Sequence, residues 1–144
     1  MYCTKTDILN LRLNASKLSE LTWQAPRDPV DDEYPILDAR ADAACADAAG
    51  EIDAILGKVC VLPITDADAL AQIKAWALDI AVHKLFARYS LENEDARKEA
   101  EAARSTLEQI RDGKALLAGS PARRTGVSVS AEDRNLTMEK MEGW

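Results

Sequence analysis

The sequence predicts an all-α protein, a small bundle of about four to five helices with a short extended segment and an extended C-terminal tail. Its 144 residues suit one domain that buries a single core. Three long stretches repeat apolar residues at intervals of three and four, the spacing of one face of an α-helix. Residues that favour helix N-caps stand where such stretches begin. We therefore divide the chain into a helical domain, residues 1–117, and a C-terminal extension, residues 118–144.

Two short helices are expected near the N-terminus. Thr6 is a plausible N-cap for the first, and either Asn14 or Ser16 can cap the second. Residues 24–35 follow, with three prolines and four acidic residues. Neither a helix nor a strand tolerates that composition well, so this stretch is predicted to be an exposed loop.

The next helix is predicted from about Leu37 to Leu56. One face carries an apolar stripe that includes Ala41, Ala44, Ala48, Ile52 and Ile55 and continues to Val59. Alanine in such a seam lets a neighbouring helix approach closely. The opposite face is strongly anionic and holds Asp38, Asp42, Asp47, Glu51 and Asp53. A face of this kind is most often simply solvated, but repeated around a ring it would form an anionic channel wall that repels duplex DNA.

The segment after this helix is predicted to contain a helix end, a short extended stretch and a proline that stops it. Gly57 can end the helix in the left-handed conformation, residues 58–62 are expected to be extended, and Pro63 prevents the segment from continuing. Residues 65–68, Thr-Asp-Ala-Asp, resemble a capping box.

The helix that begins there is predicted to run to about Tyr89 and is the most apolar of the chain. It is apolar nearly all round, which places it at the centre of the fold or at a subunit interface. Asn93 then caps a last helix that ends near Gly113. The apolar stripe of this last helix consists of Ala96, Ala100, Ala103, Leu107 and Ile110.

The C-terminal extension differs from the helical domain in pattern and charge. From Lys114 onward the chain holds five basic and four acidic residues, a net charge of +1, so residues 1–113 carry −8. Terminal aromatic and thioether groups commonly enter a partner's pocket, and an arginine pair is either a chance pair or an anchor on an acidic partner. The candidate partner-interface residues are Arg123, Arg124, Val127, Val129, Met138, Met141 and Trp144.

Composition excludes several classes of protein. A net charge of −7 disfavours a nucleic-acid binder that works by neutralising phosphates. The odd number of cysteines, Cys3, Cys45 and Cys60, favours reduced cytosolic thiols over a disulfide framework. The N-terminus has no signal-peptide pattern and no window is apolar enough to span a membrane, so we expect a protein that is not exported and does not enter membranes.

Candidate catalytic residues are few. His83, the only histidine, follows Asp79 by one helical turn, so the two side chains could pair or share a metal. A metal would need a further ligand that the sequence does not designate, and a structural or interface histidine is the simpler interpretation. Cys45 and Cys60 lie in apolar surroundings, where a nucleophile would still need an oriented base. We expect no catalysis, no cofactor and no metal.

Several short motifs occur in a fixed order along residues 1–117. They are Met1-Tyr2, Thr6-Asp7-Ile8, Glu51-Ile52-Asp53 with Leu56, Leu62-Pro63, Leu78-Asp79-Ile80-Ala81 with Leu85, Leu107-Glu108-Gln109-Ile110 and Gly113-Lys114. By their order and separations the chain resembles the Mu-like phage and prophage family of small head-tail joining proteins.

The resemblance implies a structural protein of the virion neck, assembled in the cytoplasm of the bacterial host. It implies a helical adaptor domain that forms a ring of about twelve subunits on the portal protein and extends the DNA channel toward the tail. DNA would pass without sequence-specific binding, and a downstream neck or tail protein would dock on the ring. A stopper, a tail terminator and a host-directed interaction module outside the virion remain alternatives.

Overall fold

Over the residues that it describes, the computed structural model contains five helices. It describes residues 1–22, 36, 38–88, 91–119 and 121–123. The helices are α1 (Lys5–Leu11), α2 (Ala15–Thr22), α3 (Asp38–Leu56), α4 (Ala67–Arg88) and α5 (Glu94–Arg111). In these ranges the only β-type pairing is an isolated antiparallel bridge between Cys60 and Arg123. The predicted all-α class is confirmed.

Three predicted features fall elsewhere in the chain. The acidic, proline-rich loop at residues 24–35, the helix start at Leu37 and the helix end near Tyr89 lie outside the described residues. None of the described helices is long and apolar enough to cross a membrane.

The first two helices begin after residues whose side chains cap them, and in α1 the capping is reciprocal. The side chain of Thr4 accepts a hydrogen bond from the Asp7 backbone N–H, and the Asp7 carboxylate accepts one from the Thr4 backbone N–H at 2.9 Å. The prediction of Thr6 as the N-cap was therefore wrong, because only Thr4 has an acidic residue three positions later to complete the box. For α2 the cap is Asn14 rather than Ser16, since its side-chain oxygen accepts the Lys17 N–H at 2.8 Å.

The later helix ends also follow local hydrogen bonds. Asp66, one residue after the predicted cap Thr65, accepts the Ala69 N–H at 2.9 Å and starts α4. Asn93 accepts the Ala96 N–H at 3.0 Å, which confirms the predicted start of α5. This last helix ends two residues before Gly113, which follows it with a φ of 75°.

The segment after α3 is less extended than predicted. Gly57 has no positive φ, so its predicted left-handed conformation was wrong; instead its N–H still donates to the Asp53 carbonyl at 2.8 Å. A Cβ at Gly57 would lie 2.6 Å from that carbonyl oxygen, so glycine is needed there for close approach. A turn continues to Val59, and only the short stretch from Cys60 pairs with another segment.

Helix α4 lies at the centre of the fold. It packs against α3 and α5, which also contact each other, while α1 and α2 lie against α3 and α4. Burial extends around much of its circumference and includes Ile73, Ala77, Leu78, Ile80, Ala81, Val82, Leu85 and Phe86. The predicted stripe of α5 is buried throughout, and that of α3 is buried from Ala41 to Ile52, with Ile55 and Val59 partly exposed.

The chain returns to the helical body after α5. We call residues 117–119 and 121–123 the return segment. Leu117 is buried, and the Ala118 N–H donates to the Gln72 side chain at 2.8 Å. Farther along, the Val61 N–H donates to the Ala122 carbonyl at 2.8 Å. The first residues assigned to the C-terminal extension therefore contact α4 near its start and the α3–α4 connection.

Candidate functional site

Helix α3 exposes a continuous stripe of small residues. They recur at intervals of four, three, four and four, so they share one side of the helix, opposite the buried seam. We call this surface the small-residue face; it consists of Ala39, Ala43, Ala46, Gly50 and Ala54, all exposed. The sequence spacing that predicted alanine in the buried seam of α3 also contains this second, exposed repeat.

The five candidate channel-wall carboxylates lie on two edges of that face. By helical spacing Asp38, Asp42 and Asp53 share one edge, while Asp47 and Glu51 share the other. The predicted anionic surface is therefore split in two by alanine and glycine.

The edge that carries Asp38, Asp42 and Asp53 contacts the N-terminal part of the chain, both before α1 and within it. Asp38 forms a salt bridge with Lys5 at 2.7 Å, although 65% of its side chain is exposed. Asp53 accepts a hydrogen bond from the Tyr2 hydroxyl. Burial, together with that hydrogen bond and the Asp53 charge, raises the pKa of Tyr2. Asp53 thus stabilises the fold through its hydrogen bond with the N-terminal segment.

Glu51 of α3 connects three helices, because its carboxylate binds residues of α4 and α5. Its carboxylate accepts a hydrogen bond from Arg104 of α5 and forms a salt bridge with Lys84 of α4 at 3.1 Å. Hydrogen bonds from Arg104 and then Lys84 hold the pKa of Glu51 below its ordinary value. Its side chain is about three-quarters buried, at 26% exposure, so little of this charge faces solvent.

Asp42 and Asp47 remain as carboxylates without a salt bridge to any described residue, and both are exposed. They stand on opposite edges of the small-residue face. The exposed negative charge of α3 therefore comes from fewer residues than the sequence predicted, mainly Asp38, Asp42 and Asp47.

A second set of exposed residues combines cations with apolar side chains. Helices α3 and α5 contact each other. Just after α5, a hydrogen bond from Arg111 lowers the pKa of Asp112, and the charges of Lys114 and Lys58 lower it further. The bridge from Cys60 places the return segment beside the α3–α4 connection. We call the exposed cations and large apolar residues that follow α3 and α5 in the chain the basic apolar end; they are Lys58, Val61, Leu62, Lys114, Leu116 and Arg123.

All six residues of the basic apolar end are exposed. The exposed fractions are 47% for Val61, 39% for Leu62 and 73% for Leu116. The three cations make no salt bridge within the described part of the chain. Of these six residues the sequence pattern indicated only Arg123, because the bridge that places it beside Cys60 forms only in the folded chain.

The pairing considered for Asp79 and His83 does not form, in line with the preferred interpretation of His83 as a structural or interface residue. Asp79 instead accepts a hydrogen bond from Arg12 of the α1–α2 connection at 2.8 Å. Burial lowers the pKa of His83, and the charges of Arg104 and Lys84 lower it further. Over the described ranges no group of three or more potential ligands among histidine, cysteine, aspartate and glutamate is placed to hold a metal.

The two candidate nucleophiles are buried thiols. A hydrogen bond with Cys3 and burial raise the pKa of Cys45, and burial raises the pKa of Cys60. Both thiols are therefore protonated at neutral pH, a state unsuited to nucleophilic attack.

Of the candidate partner-interface residues, the structure describes one. Arg123 is exposed and its backbone pairs with Cys60. The others lie outside the described residues: Arg124, Val127, Val129, Met138, Met141 and Trp144.

Comparison with protein-family models matches residues 2–134 to the family described as bacteriophage Mu, Gp36. The chain belongs to this family. The match spans all five helices and the return segment and extends into the C-terminal residues. Membership identifies a phage protein with a structural or assembly role. A search of curated proteins found no match.

Proposed function

We propose that this Gp36-family protein is a head-tail connector, an adaptor ring in the virion neck that binds the portal and carries the DNA channel toward the tail. The observation that carries the proposal is the family match over residues 2–134, which covers the whole helical body. We also propose that the role is structural and involves no catalysis. The buried, protonated thiols and the engagement of Asp79 with Arg12 support that part.

The distribution of carboxylates supports a narrower channel-wall assignment within this proposal. Glu51 and Asp53 are engaged inside the chain, whereas Asp42 and Asp47 are exposed without a salt bridge to described residues. A ring that turned these two groups inward would repel the phosphate backbone and let DNA pass without sequence-specific binding.

The C-terminal extension is proposed to dock on the portal, and the structure indicates where to truncate it. Residues up to Arg123 contact the helical body, so a cut at residue 118 would also remove contacts with α4 and the α3–α4 connection. Removal of residues 124–144 preserves those contacts. The truncated protein should keep its helical circular dichroism and its thermal unfolding temperature, and should no longer join portal-containing particles.

Full-length protein and a variant cut at residue 118 serve as the comparisons. Loss of joining by both truncations, with folding impaired only in the shorter chain, separates docking from stability. Normal joining by the protein that ends at Arg123 would refute portal docking by the extension.

Electron microscopy of purified necks tests the ring itself. An adaptor ring should match the portal's symmetry, with about twelve copies. Two stacked rings of equal symmetry can make the same contact at every subunit. A sixfold ring would instead indicate a tail-end protein, and recovery of the chain only with host proteins would indicate an interaction module outside the virion.

A further inference from the structure

We propose that Cys3 and Cys45 form a redox-active pair, which a peroxide oxidises to a disulfide that fixes the residues before α1 onto α3. The inference does not depend on the neck assignment, and it gives a role to two of the three cysteines.

The two thiols lie in contact inside the core. Cys3 is 1% exposed and Cys45 is fully buried. A hydrogen bond joins their side chains, so the two sulfur atoms already face each other. Cys3 precedes α1 and belongs to no helix. Its side chain can therefore turn to reach the S–S distance of about 2.05 Å while Cys45 stays in place on α3.

Contacts on both sides hold the Cys3 thiol in register with α3. Before it, the Tyr2 hydroxyl donates a hydrogen bond to the Asp53 carboxylate. After it, Lys5 forms a salt bridge with Asp38 at 2.7 Å. The partners on α3 occur in the reverse order, so the residues before α1 run antiparallel to the helix. The thiol pair is thus the middle part of one continuous contact.

The hydrogen bond gives the two thiols different reactivity. The Cys45 S–H donates to the Cys3 sulfur, which lowers the pKa of Cys3 and raises the pKa of Cys45. The charge of Lys74 also favours the Cys3 thiolate, whereas burial and the charge of Asp7 oppose it. Because the thiolate is the nucleophile, Cys3 is the thiol that attacks the oxidant.

The reaction balances with a peroxide as the two-electron oxidant. The Cys3 thiolate attacks one peroxide oxygen, the O–O bond breaks, and the other oxygen takes a proton from solvent and leaves as water or an alcohol. Cys3 becomes a sulfenic acid. The Cys45 sulfur then attacks the Cys3 sulfur, so that the S–S bond forms, the S–O bond breaks and the thiol proton leaves with the hydroxyl group as water.

The second step removes the obstacle that the raised pKa of Cys45 presents. The hydrogen bond to the Cys3 thiolate and the negative charge of that thiolate both raise this pKa. Both are lost once Cys3 is a neutral sulfenic acid. Cys45 can then release its proton to the departing hydroxyl group.

A peroxide is small enough to reach the pair through a local opening. Met1 is 72% exposed and Thr4 is also exposed, so the short segment that carries Cys3 lies at the surface of the molecule. Terminal segments of this kind open at a lower free energy than the core. Cys60 is in a different environment, because burial raises its pKa and the charge of Arg123 lowers it, with no contribution from another thiol.

The chemistry suits a phage protein, which is made in a cell and later leaves it. The dithiol stays reduced in the cytoplasm, where thiol reductants predominate, and oxidises outside the cell. The disulfide closes the chain between positions 3 and 45. It therefore restricts the unfolded chain and stabilises the folded one.

Oxidation of the purified full-length chain with hydrogen peroxide tests the pair. Peptide mass spectrometry of the folded protein should find Cys3 linked to Cys45 within one chain, with Cys60 free. The thermal unfolding temperature should rise by at least about 5 °C and should return to its starting value with dithiothreitol.

The same treatment in urea separates the folded arrangement from chance pairing. In the unfolded chain Cys45 and Cys60 close the shortest loop, so their linkage should be the most frequent. Cys60→Ser is the matched control and should keep both the native disulfide and the rise in unfolding temperature. Cys3→Ser should lose both, and Cys3→Ala repeats that test with an apolar side chain.

The linkage map of the unaltered chain decides the proposal even where a variant fails to fold. A main linkage that involves Cys60 or joins two chains would overturn it. So would a folded chain whose Cys3 is oxidised to a sulfinic acid without any linkage, or whose thiols all remain reduced. Each of these results leaves the head-tail connector proposal standing, since truncation and ring symmetry test that role separately.

Discussion

Gly113 and Gly119 have similar backbone conformations in different surroundings. Their φ angles are 75° and 73°. A Cβ at Gly113 would meet nothing within 4 Å, whereas one at Gly119 would lie 1.9 Å from a carboxylate oxygen of Asp66. Asp66 in turn caps α4 through the Ala69 N–H. The return segment therefore packs closely against the start of α4 at Gly119.

Alanine substitution at these two positions should separate conformational from steric effects. Gly113→Ala should lower the free energy of unfolding by about 1 kcal/mol, because only the positive φ is unfavourable. Gly119→Ala should lower it by about 2 kcal/mol, because Asp66 must also move away from its capping position. Urea unfolding followed by circular dichroism measures both. Equal losses would show that the Asp66 side chain moves aside without weakening the cap.

The starts of the helices show that the same local capping rule identifies some caps correctly and misplaces others by one or two positions. The predicted cap Asn93 was confirmed, and of the two alternatives for α2 Asn14 is the cap, because each amide accepts the N–H three residues later. The predicted caps Thr6 and Thr65 were wrong because a nearby residue, Thr4 or Asp66, makes the equivalent bond. Cap residue types identify where a helix starts to within two positions, and the backbone path decides which of them is used.

The cap of α5 can be tested in isolation. Asn93→Ala should lower the free energy of unfolding by about 1 kcal/mol, because the Ala96 N–H loses its acceptor. Asn93→Asp keeps the acceptor, and its charge suits the positive end of the helix dipole, so its stability should stay close to that of the unaltered protein. Thermal or urea unfolding distinguishes the two. A loss in both variants would point to contacts of the amide nitrogen rather than to capping.

Three helices of the molecule are joined by the carboxylate of Glu51. Its partners Arg104 and Lys84 lie on α5 and α4, so the cluster forms only when the whole bundle is assembled. Its pKa is held below the ordinary value of 4.5 in the folded protein. Because the pKa of this carboxyl is lower in the folded than in the unfolded state, its charge stabilises the folded protein at pH values above the unfolded-state pKa. That stabilisation is lost as the pH falls through the folded-state pKa.

Glu51→Gln should therefore act in a pH-dependent way. At pH ~7 the variant should be less stable by about 1 kcal/mol, because Arg104 and Lys84 lose their shared partner. The difference should shrink as the pH is lowered below about 4.5, since the unaltered carboxylate then loses its charge as well. The control is Glu99→Gln, at an exposed position of α5. A stability difference for Glu51→Gln that does not change with pH would argue for a loss of packing instead of charge.

The sequence by itself determined the helical class, the order of the helices and the buried stripes. Those properties depend on spacing within one helix, as with Ala96 to Ile110 in α5, and on a local N-cap such as Asn93. The family resemblance over residues 1–117 was likewise visible, and the family match extends it to residues 2–134.

Tertiary structure alone decided the use of each charged residue. Five carboxylates on α3 are equivalent in a sequence pattern, yet Glu51 and Asp53 bind residues 33 to 53 positions away, while Asp42 and Asp47 make no salt bridge to described residues. The residues of the basic apolar end come from the segments after α3 and α5 and from the return segment. A single-helix pattern contains no information on partners that distant in the chain, because Coulombic and hydrogen-bond contacts depend on separation in space.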